Sequence, residues 1–348
     1  MRLKNLFVTL LVSTLLVSCG GYGILRKQYS ETTAFLLCSM WENDRPNTNA
    51  ERFGFFSSTL WENYAENLKS EIDVFGATPG YILWYIQMGE TFPSHIAEHN
   101  RDLGISTVIN HDLKADMLTP DQNARILKEI ARGKWDDYLR QFARKARDLK
   151  VDVYYRFGYE MNGDWFPWGE QPKLFVDAWR HAHKVFKKEG AANVKWIFSP
   201  SVVWGQKNFE KDILPYYPGE QFVDIVALDG YNFGDNHSRH HAWESFYQVY
   251  AGSISGLMSF NKPMWIAEIG CPSDPRRQKW LRDFLDFFDN NTCFSAFFWF
   301  NENKAGEPNF RIDGDDESLF IFREWAQRIN SPLGTGENVA QSQGSSGR

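Results

Sequence analysis

Short apolar runs alternate with amphipathic stretches along most of this chain. The first run, Arg52–Ser58, is followed by a helical stretch, Leu60–Phe75. Next come Gly80–Gln87 with a helix reaching Leu103, then Ile105–His111 with a long excursion behind it. Within that excursion Trp135, Tyr138, Leu139, Phe142 and Leu149 recur at the spacing of a one-faced helix. Five further runs follow: Val151–Arg156, Val194–Phe198, Phe222–Leu228, Pro263–Ala267 and Phe294–Trp299. Helical stretches at 172–189, 208–215, 241–259 and 274–289 separate them, and 317–329 closes the series. The strand runs are nearly continuous in apolar residues, as expected where a parallel sheet is buried on both faces. Eight strands alternating with helices predict a single α/β domain, a closed (β/α)8 TIM barrel, in preference to an open doubly wound sheet. No Gly-x-Gly-x-x-Gly follows any strand, which weakens a dinucleotide-binding alternative.

The ends of the chain fall outside this pattern. Residues 1–18 have a basic start (Arg2, Lys4), an apolar stretch from Leu6 to Val17 and a small-residue exit, the features of a secretory signal peptide. The stretch is too short to span a membrane, which takes ~20 residues. Leu16-Val17-Ser18-Cys19 resembles the bacterial lipobox, implying lipidation of Cys19. The expected location is therefore the bacterial cell envelope, outside the cytoplasm, with the domain held to the membrane through that lipid. Residues 19–33 read as a tether, 34–330 as the folded catalytic domain, and 331–348, with eight Gly or Ser, as a short disordered tail.

Composition narrows the partners. The 348 residues carry 38 basic and 44 acidic side chains, a formal −6 that becomes −8 once Arg2 and Lys4 are removed. That balance argues against nucleic acid, which selects basic surfaces. Aromatic residues make up 16% of the chain, including 14 Trp, so a subset of Trp is expected to stack on flat, uncharged ligands such as sugars. Lipidation leaves Cys38, Cys271 and Cys293, enough for at most one disulfide and with no pairing favoured. No Cys-x-x-Cys occurs, and neither metal nor cofactor is expected. His181 and His183 lie two apart on a helix and diverge. His237, His240 and His241, beside Asp235 and Asn236, read as a solvated loop rather than a metal site. No Gly-x-Ser-x-Gly elbow supports serine chemistry.

In a barrel, chemistry sits at the C-terminal ends of the strands. Two carboxylates interrupt apolar runs there: Glu160, in Arg156-Phe-Gly-Tyr-Glu-Met-Asn-Gly-Asp-Trp-Phe-Pro-Trp-Gly169, and Glu268, in Met264-Trp-Ile-Ala-Glu-Ile-Gly270. An unpaired charge is costly to desolvate there, so each needs either a partner, such as Arg156, or a function. Two acids at matching strand ends are the apparatus of glycoside hydrolysis. Glu160, near Trp165 and Trp168, suits the protonated acid; Glu268 suits the ionised nucleophile, with Tyr231 at the end of strand six as a candidate donor. His111, at the end of strand three, is a candidate for binding a sugar hydroxyl.

Tyr159-Glu-Met-Asn-Gly-Asp-Trp-Phe-Pro-Trp-Gly169 and Trp265-Ile-Ala-Glu-Ile-Gly270 resemble the acid/base and nucleophile segments of glycoside hydrolase family 26, the likeness extending over about 52–329. That family comprises retaining (β/α)8 enzymes, largely endo-β-1,4-mannanases with some mixed-linkage glucanases and xylanases. The resemblance implies Glu160 as acid/base, Glu268 as nucleophile and Tyr231 as the donor to the nucleophile. Trp165 and Trp168 match substrate-contacting Trp, and Trp299 the aromatic floor of the −1 subsite. Arg156, Asn162 and Tyr159 are carried as substrate-binding or supporting residues. The family usually has His where this chain has Tyr159, a His that in mannanases contacts the −1 sugar near O2, so the substitution bears on mannan specificity. The expected partner is a polysaccharide, β-mannan or β-glucan, acted on by a monomer. A mixed-linkage or envelope-glycan hydrolase, and a silent glycan-binding lipoprotein on the same barrel, are the alternatives.

Overall fold

A computed structural model describes Cys38 and residues 49–205, 207–235, 242–291 and 293–328. The signal peptide, the tether, the C-terminal tail and the His237, His240 and His241 cluster lie outside the described residues. Eight strands, β1 (Phe53–Phe56), β2 (Tyr81–Gln87), β3 (Ser106–Asp112), β4 (Val153–Phe157), β5 (Val194–Phe198), β6 (Ile225–Tyr231), β7 (Met264–Gly270) and β8 (Phe294–Phe300), form one closed barrel in chain order. Every neighbouring pair is parallel, and β8 closes on β1 with Phe297 opposite Phe53. Helices α1 (Tyr64–Phe75), α2 (Ser94–Asp102), α3 (Asp136–Asp148), α4 (Pro172–Lys188), α5 (Phe246–Met258), α6 (Arg277–Asn290) and α7 (Asp316–Ala326) run between or after the strands. A short turn of helix, Phe209–Asp212, follows β5 in place of a long one.

Alternation along the strands sorts side chains into two cores. Leu83, Val108, Ile197, Ala227, Trp265, Ala267 and Phe298 fill the barrel interior, with Tyr85 and Phe300 packed on that cluster. Ile82, Ile86, Ile109, Tyr155, Phe157 and Trp299 point outward into a second, larger core beneath the helices.

Element boundaries shift by a few residues, each for a local reason. The helix expected over 60–75 begins only at Tyr64, because Asn63 adopts a left-handed conformation (φ 46°) that separates α1 from a 3-10 turn at Ser58–Trp61. The helix expected at 208–215 stops at Asp212, and Leu214–Tyr216 is a 3-10 turn around Pro215, which has no N–H for an α ladder. The sixth strand begins at Ile225, since Glu220–Phe222 forms another 3-10 turn.

Cys38 and Cys293 form a disulfide, their Cα atoms 5.0 Å apart and 255 residues apart in sequence. It sits immediately before β8, at the N-terminal face of the barrel, opposite the face where the strands end. Closing so long a loop stabilises a fold by roughly 3–5 kcal/mol. Cys271 is free and buried.

Candidate active site

The strand ends open into a cleft of about 940 Å³ whose lining includes Trp61, Trp84, Tyr85, Asp112, Tyr159, Glu160, Trp165, Trp204, Tyr231, Glu268 and Phe300. Glu160 reaches it from a backbone that only particular residues permit. Past the end of β4, Gly158 takes a positive φ of 61°, and a Cβ there would lie 2.7 Å from Leu113 Cδ1. Glu160 is itself left-handed at φ 50°, an uncommon state for a residue with a side chain. Its N–H donates to the Ser199 carbonyl (2.8 Å), and its own carbonyl accepts from Gly163 N–H (3.0 Å), which fixes the turn. One contact to its carboxyl is specific: Trp165 Nε1 donates to Oε2 at 2.6 Å. Burial first, and the nearby Glu268 charge second, push the Glu160 carboxyl up to about 8, so it carries a proton at neutral pH.

Glu268 is set differently. Between β6 and β7 the register passes from Leu228–Ile266 directly to Asp229–Glu268, so Ala267 is an extra residue, a bulge, on β7. Strict alternation from the inward Trp265 would turn residue 268 outward; the bulge re-aims it into the barrel mouth. There Glu268 Oε1 accepts from Arg156 Nη1 at 2.8 Å, from the Tyr85 hydroxyl at 2.7 Å and, at the 3.5 Å limit, from Asn110 Nδ2. The Tyr231 hydroxyl donates to Oε2. These donors solvate the ionised carboxylate.

Arg156 is wholly buried and bridges Glu268 and Asp229, its Nη2 lying 2.5 Å from Asp229 Oδ2, and Ser199 Oγ donates to Asp229 Oδ1 at 2.9 Å. One carboxylate oxygen each from Glu160, Asp229 and Glu268 lie within 4.8 Å of one another. Three acids so close have the composition of a cation site, but Arg156 already supplies the countercharge to two of them. Among the described residues the pair of interest is therefore Glu160 and Glu268, close together, one protonated and one ionised.

The structure brings Glu160, Glu268, Tyr231, Tyr159 and Trp165 to the cleft, with Arg156 buried behind Glu268. It corrects three placements. Trp168 is 1% exposed, stacks on Phe166 (centroids 4.3 Å apart) and donates its Nε1 to the Tyr159 carbonyl, so it braces the loop beneath the cleft and does not line it. Trp299, expected as the aromatic floor, is 0% exposed, donates to the Phe310 carbonyl and faces the outer core; the neighbouring Phe300 lines the cleft. His111 is also buried outside the barrel, stacked on Phe142 and hydrogen-bonded to the Tyr155 and Tyr138 hydroxyls, with burial lowering its pKa to about 3. Asn162 is a loop brace: its amide exchanges hydrogen bonds with the Ser201 backbone, both at 2.9 Å.

Several lining residues escaped sequence reasoning. Tyr85, and Asn110 buried behind Glu268, sit at inward positions of strands whose polar tips carry no motif. Asp112, the last residue of β3, accepts from the Tyr159 hydroxyl at 2.8 Å. Trp204, in the segment after β5, lies face to face with Trp165, centroids 5.9 Å apart at 14°. A charged last residue of a strand was the signal available for Asp112, and for Tyr85 the inward alternation.

Residues 111–267 match the sequence profile of Glycosyl hydrolase family 26, a span that includes Glu160 and Tyr231 and ends one residue before Glu268. The chain is similar to Endoglucanase H of Acetivibrio thermocellus, 32% identical over 206 residues, which are 56% of this chain and 22% of that protein. Mannan endo-1,4-beta-mannosidase A and B of Caldalkalibacillus mannanilyticus is 32% identical over 152 residues, covering 40% of this chain and 26% of the relative. Mannan endo-1,4-beta-mannosidase of Bacillus subtilis strain 168 is 30% identical over 171 residues, 44% of this chain and 41% of the relative. The chain thus spans less than half the length of each of these relatives. A GH26 β-mannanase structure from Bacteroides ovatus superposes with a TM-score of 0.60 at 17% identity, over 86% of this chain and 93% of that one. The fold is common to both.

Proposed function

We propose that this chain, whose residues 111–267 match the profile of glycosyl hydrolase family 26, is a retaining endo-β-glycanase of the β-1,4-mannanase kind. The observation that carries the reading is the closeness of two carboxyls in unlike environments: oxygens of Glu160 and Glu268 lie within 4.8 Å of each other. Retaining enzymes hold their carboxyls ~5–5.5 Å apart, whereas inverting ones leave ~6.5–9.5 Å for a water. In the proposed cycle Glu268 attacks the anomeric carbon while Glu160 passes its proton to the leaving glycosidic oxygen, breaking the bond between the sugars. Glu160, now a carboxylate, takes a proton from the incoming water, whose oxygen displaces Glu268 and restores it. Tyr231, Tyr85 and Arg156 hold Glu268 aligned for attack. The cycle calls for no cofactor.

A mixed-linkage β-glucanase is the second reading, favoured by one observation. Tyr159, preceding the acid/base candidate, commits its hydroxyl to Asp112, so the wall beside the reacting sugar differs in chemistry from one bearing a histidine. The similarity to a protein named as an endoglucanase points the same way.

The proposal places the domain in the cell envelope, lipidated at Cys19. Supporting it is the Cys38–Cys293 disulfide, a bond that persists in oxidising compartments outside the cytoplasm.

The test is digestion of mannan, glucomannan, mixed-linkage glucan and xylan, with products followed by chromatography. The expected result is release of oligosaccharides from one polymer, abolished in both Glu160→Ala and Glu268→Ala. Inverted product anomers by NMR, or cleavage that survives in Glu268→Ala, would overturn the reading.

A further inference from the structure

Beside the catalytic pair the cleft presents a polar group that the proposed reaction does not use. Asp112 ends β3 and Lys114 stands two residues further on, both lining the cleft. Their backbone is pinned, since Met88 N–H donates to the carbonyls of Asp112 (3.1 Å) and Lys114 (2.9 Å). One carboxylate oxygen of Asp112, Oδ1, accepts from the Tyr159 hydroxyl at 2.8 Å. The other, Oδ2, lies 4.0 Å from Lys114 Nζ, beyond hydrogen-bond reach, and accepts no hydrogen bond from any described residue. It is not enclosed, so it looks onto the cleft. A mostly buried carboxylate left half-satisfied is costly unless something else supplies donors.

Acceptor and donor thus stand side by side, an oxygen of Asp112 and the ammonium of Lys114. Two adjacent hydroxyls on a pyranose ring offer the complement: one donates its proton to the carboxylate, the neighbouring oxygen accepts from the ammonium. We infer that Asp112 and Lys114 recognise a vicinal diol of a neutral hexose unit bound in the cleft, with Tyr159 as the positioning residue that fixes the carboxylate. The inference rests on the glycan-hydrolase reading and deepens it, naming where one sugar is held. It also states a selectivity: a unit acylated or branched at the hydroxyl facing Asp112 is excluded, because the blocked oxygen has no proton for the carboxylate and its substituent meets the pinned β3 end. Burial raises the Asp112 carboxyl to about 6, against the Tyr159 hydrogen bond and Lys114, so it is an ionised acceptor at neutral pH. Arg156 packs on the Tyr159 ring (4.9 Å) and Tyr85 meets it edge-on (5.6 Å), which ties this wall to the residues holding Glu268.

The experiment uses the full chain and whichever polymer of the four it digests. Losing a charge-assisted hydrogen bond to substrate is worth about 1.5–3 kcal/mol, so Asp112→Asn and Lys114→Met should each raise KM about tenfold or more, with kcat changing by less than about threefold. Lys114→Arg should keep KM within about threefold, since the cation survives. Tyr159→Phe should raise KM by a smaller factor. Unchanged KM in both Asp112→Asn and Lys114→Met, or a loss confined to kcat, overturns the inference; Lys114 is partly exposed, so its variant reports even if Asp112→Asn fails to fold. Should the wild-type chain cleave none of the polymers, the hydrolase reading fails, and calorimetry with mannotetraose and cellotetraose decides the diol site separately. Weaker binding in both variants then supports it; equal binding, or no binding of either oligosaccharide to the wild-type chain, overturns it.

Discussion

The two carboxyls of the cleft reach the same point by opposite routes. Glu160 leaves the end of a strand through a left-handed turn and lies against aromatic rings, with one indole N–H as its direct donor. Glu268 never leaves its strand; a bulge turns it inward onto an arginine and two tyrosine hydroxyls. The first environment withholds solvation from charge and the second supplies it. One fold thereby keeps a proton on one acid and leaves the other ionised, the division of labour that acid-assisted displacement requires. Identical side chains do unlike work here because their surroundings differ, and substitution tests each.

The largest effects come from removing either carboxyl. Glu268→Ala should lose on the order of 10⁴-fold or more in kcat on every substrate, because no bond to the sugar forms without it. Glu160→Ala should lose about 10²–10⁴-fold on polysaccharide. The two should part on an aryl glycoside whose leaving group needs no proton: Glu160→Ala then recovers its first step and shows a burst of released phenol, and Glu268→Ala does not. Stopped-flow absorbance reads this directly, and a burst from Glu268→Ala, or none from Glu160→Ala, would reverse the assigned roles.

Next in size are the donors on Glu268. Tyr85→Phe and Tyr231→Phe each remove one hydroxyl from a buried carboxylate, worth about 1.5–3 kcal/mol, or roughly 10- to 100-fold in kcat/KM. Both hydroxyls bind the same group, so the double variant should depart from additivity. Additive losses would mean that the two tyrosines act independently of Glu268.

The same contrast has a stability signature. The Glu160 carboxyl is raised from an ordinary 4.5 to about 8 in the folded chain. Between those values the folded state holds a proton that the unfolded state has released, so folding is disfavoured progressively as pH rises from about 4.5 to about 8. Glu160→Gln has no proton to lose there. Its melting temperature should match the wild type at pH 4 and exceed it at pH 9; a variant that melts lower at pH 9 would show that the fold does not disfavour the Glu160 charge.

How much of this was legible in the sequence depends on which rule placed a residue. Eight apolar runs separated by helical stretches gave the barrel, because periodicity is written along the chain. Glu160 and Glu268 stood out because each interrupts an apolar run. What misled was orientation. Position at a strand end points His111 toward the cleft and the family resemblance points Trp299 there, yet inward and outward alternate, and their neighbours Asn110 and Phe300 are the inward ones. The bulge at Ala267 changes that parity on β7, and nothing in Trp-Ile-Ala-Glu marks it. Trp168 lies in the same motif as Trp165, but the turn between them sends one ring to the cleft and stacks the other on Phe166 beneath it. Tyr85 and Asp112 matter through partners 183 and 47 residues away in sequence, pairings that only the closed barrel creates.

The smallest effect concerns the indole donor on Glu160, which opposes the rest of its surroundings. Trp165 Nε1 donates to Glu160 Oε2 and favours the charged carboxylate, against burial and the Glu268 charge. Trp165→Phe keeps an aromatic ring in the wall and removes only the N–H. A hydrogen bond of about 0.5–1.5 kcal/mol corresponds to roughly 0.4–1 pH unit, so the alkaline limb of the kcat/KM profile should move up by about that much. Loss of sugar stacking lowers the height of the profile at all pH values without moving the limb, because kcat/KM reports the free enzyme's ionisation. A limb that moves down instead would mean that water enters where the indole stood and that Trp165 raises the Glu160 pKa by excluding it.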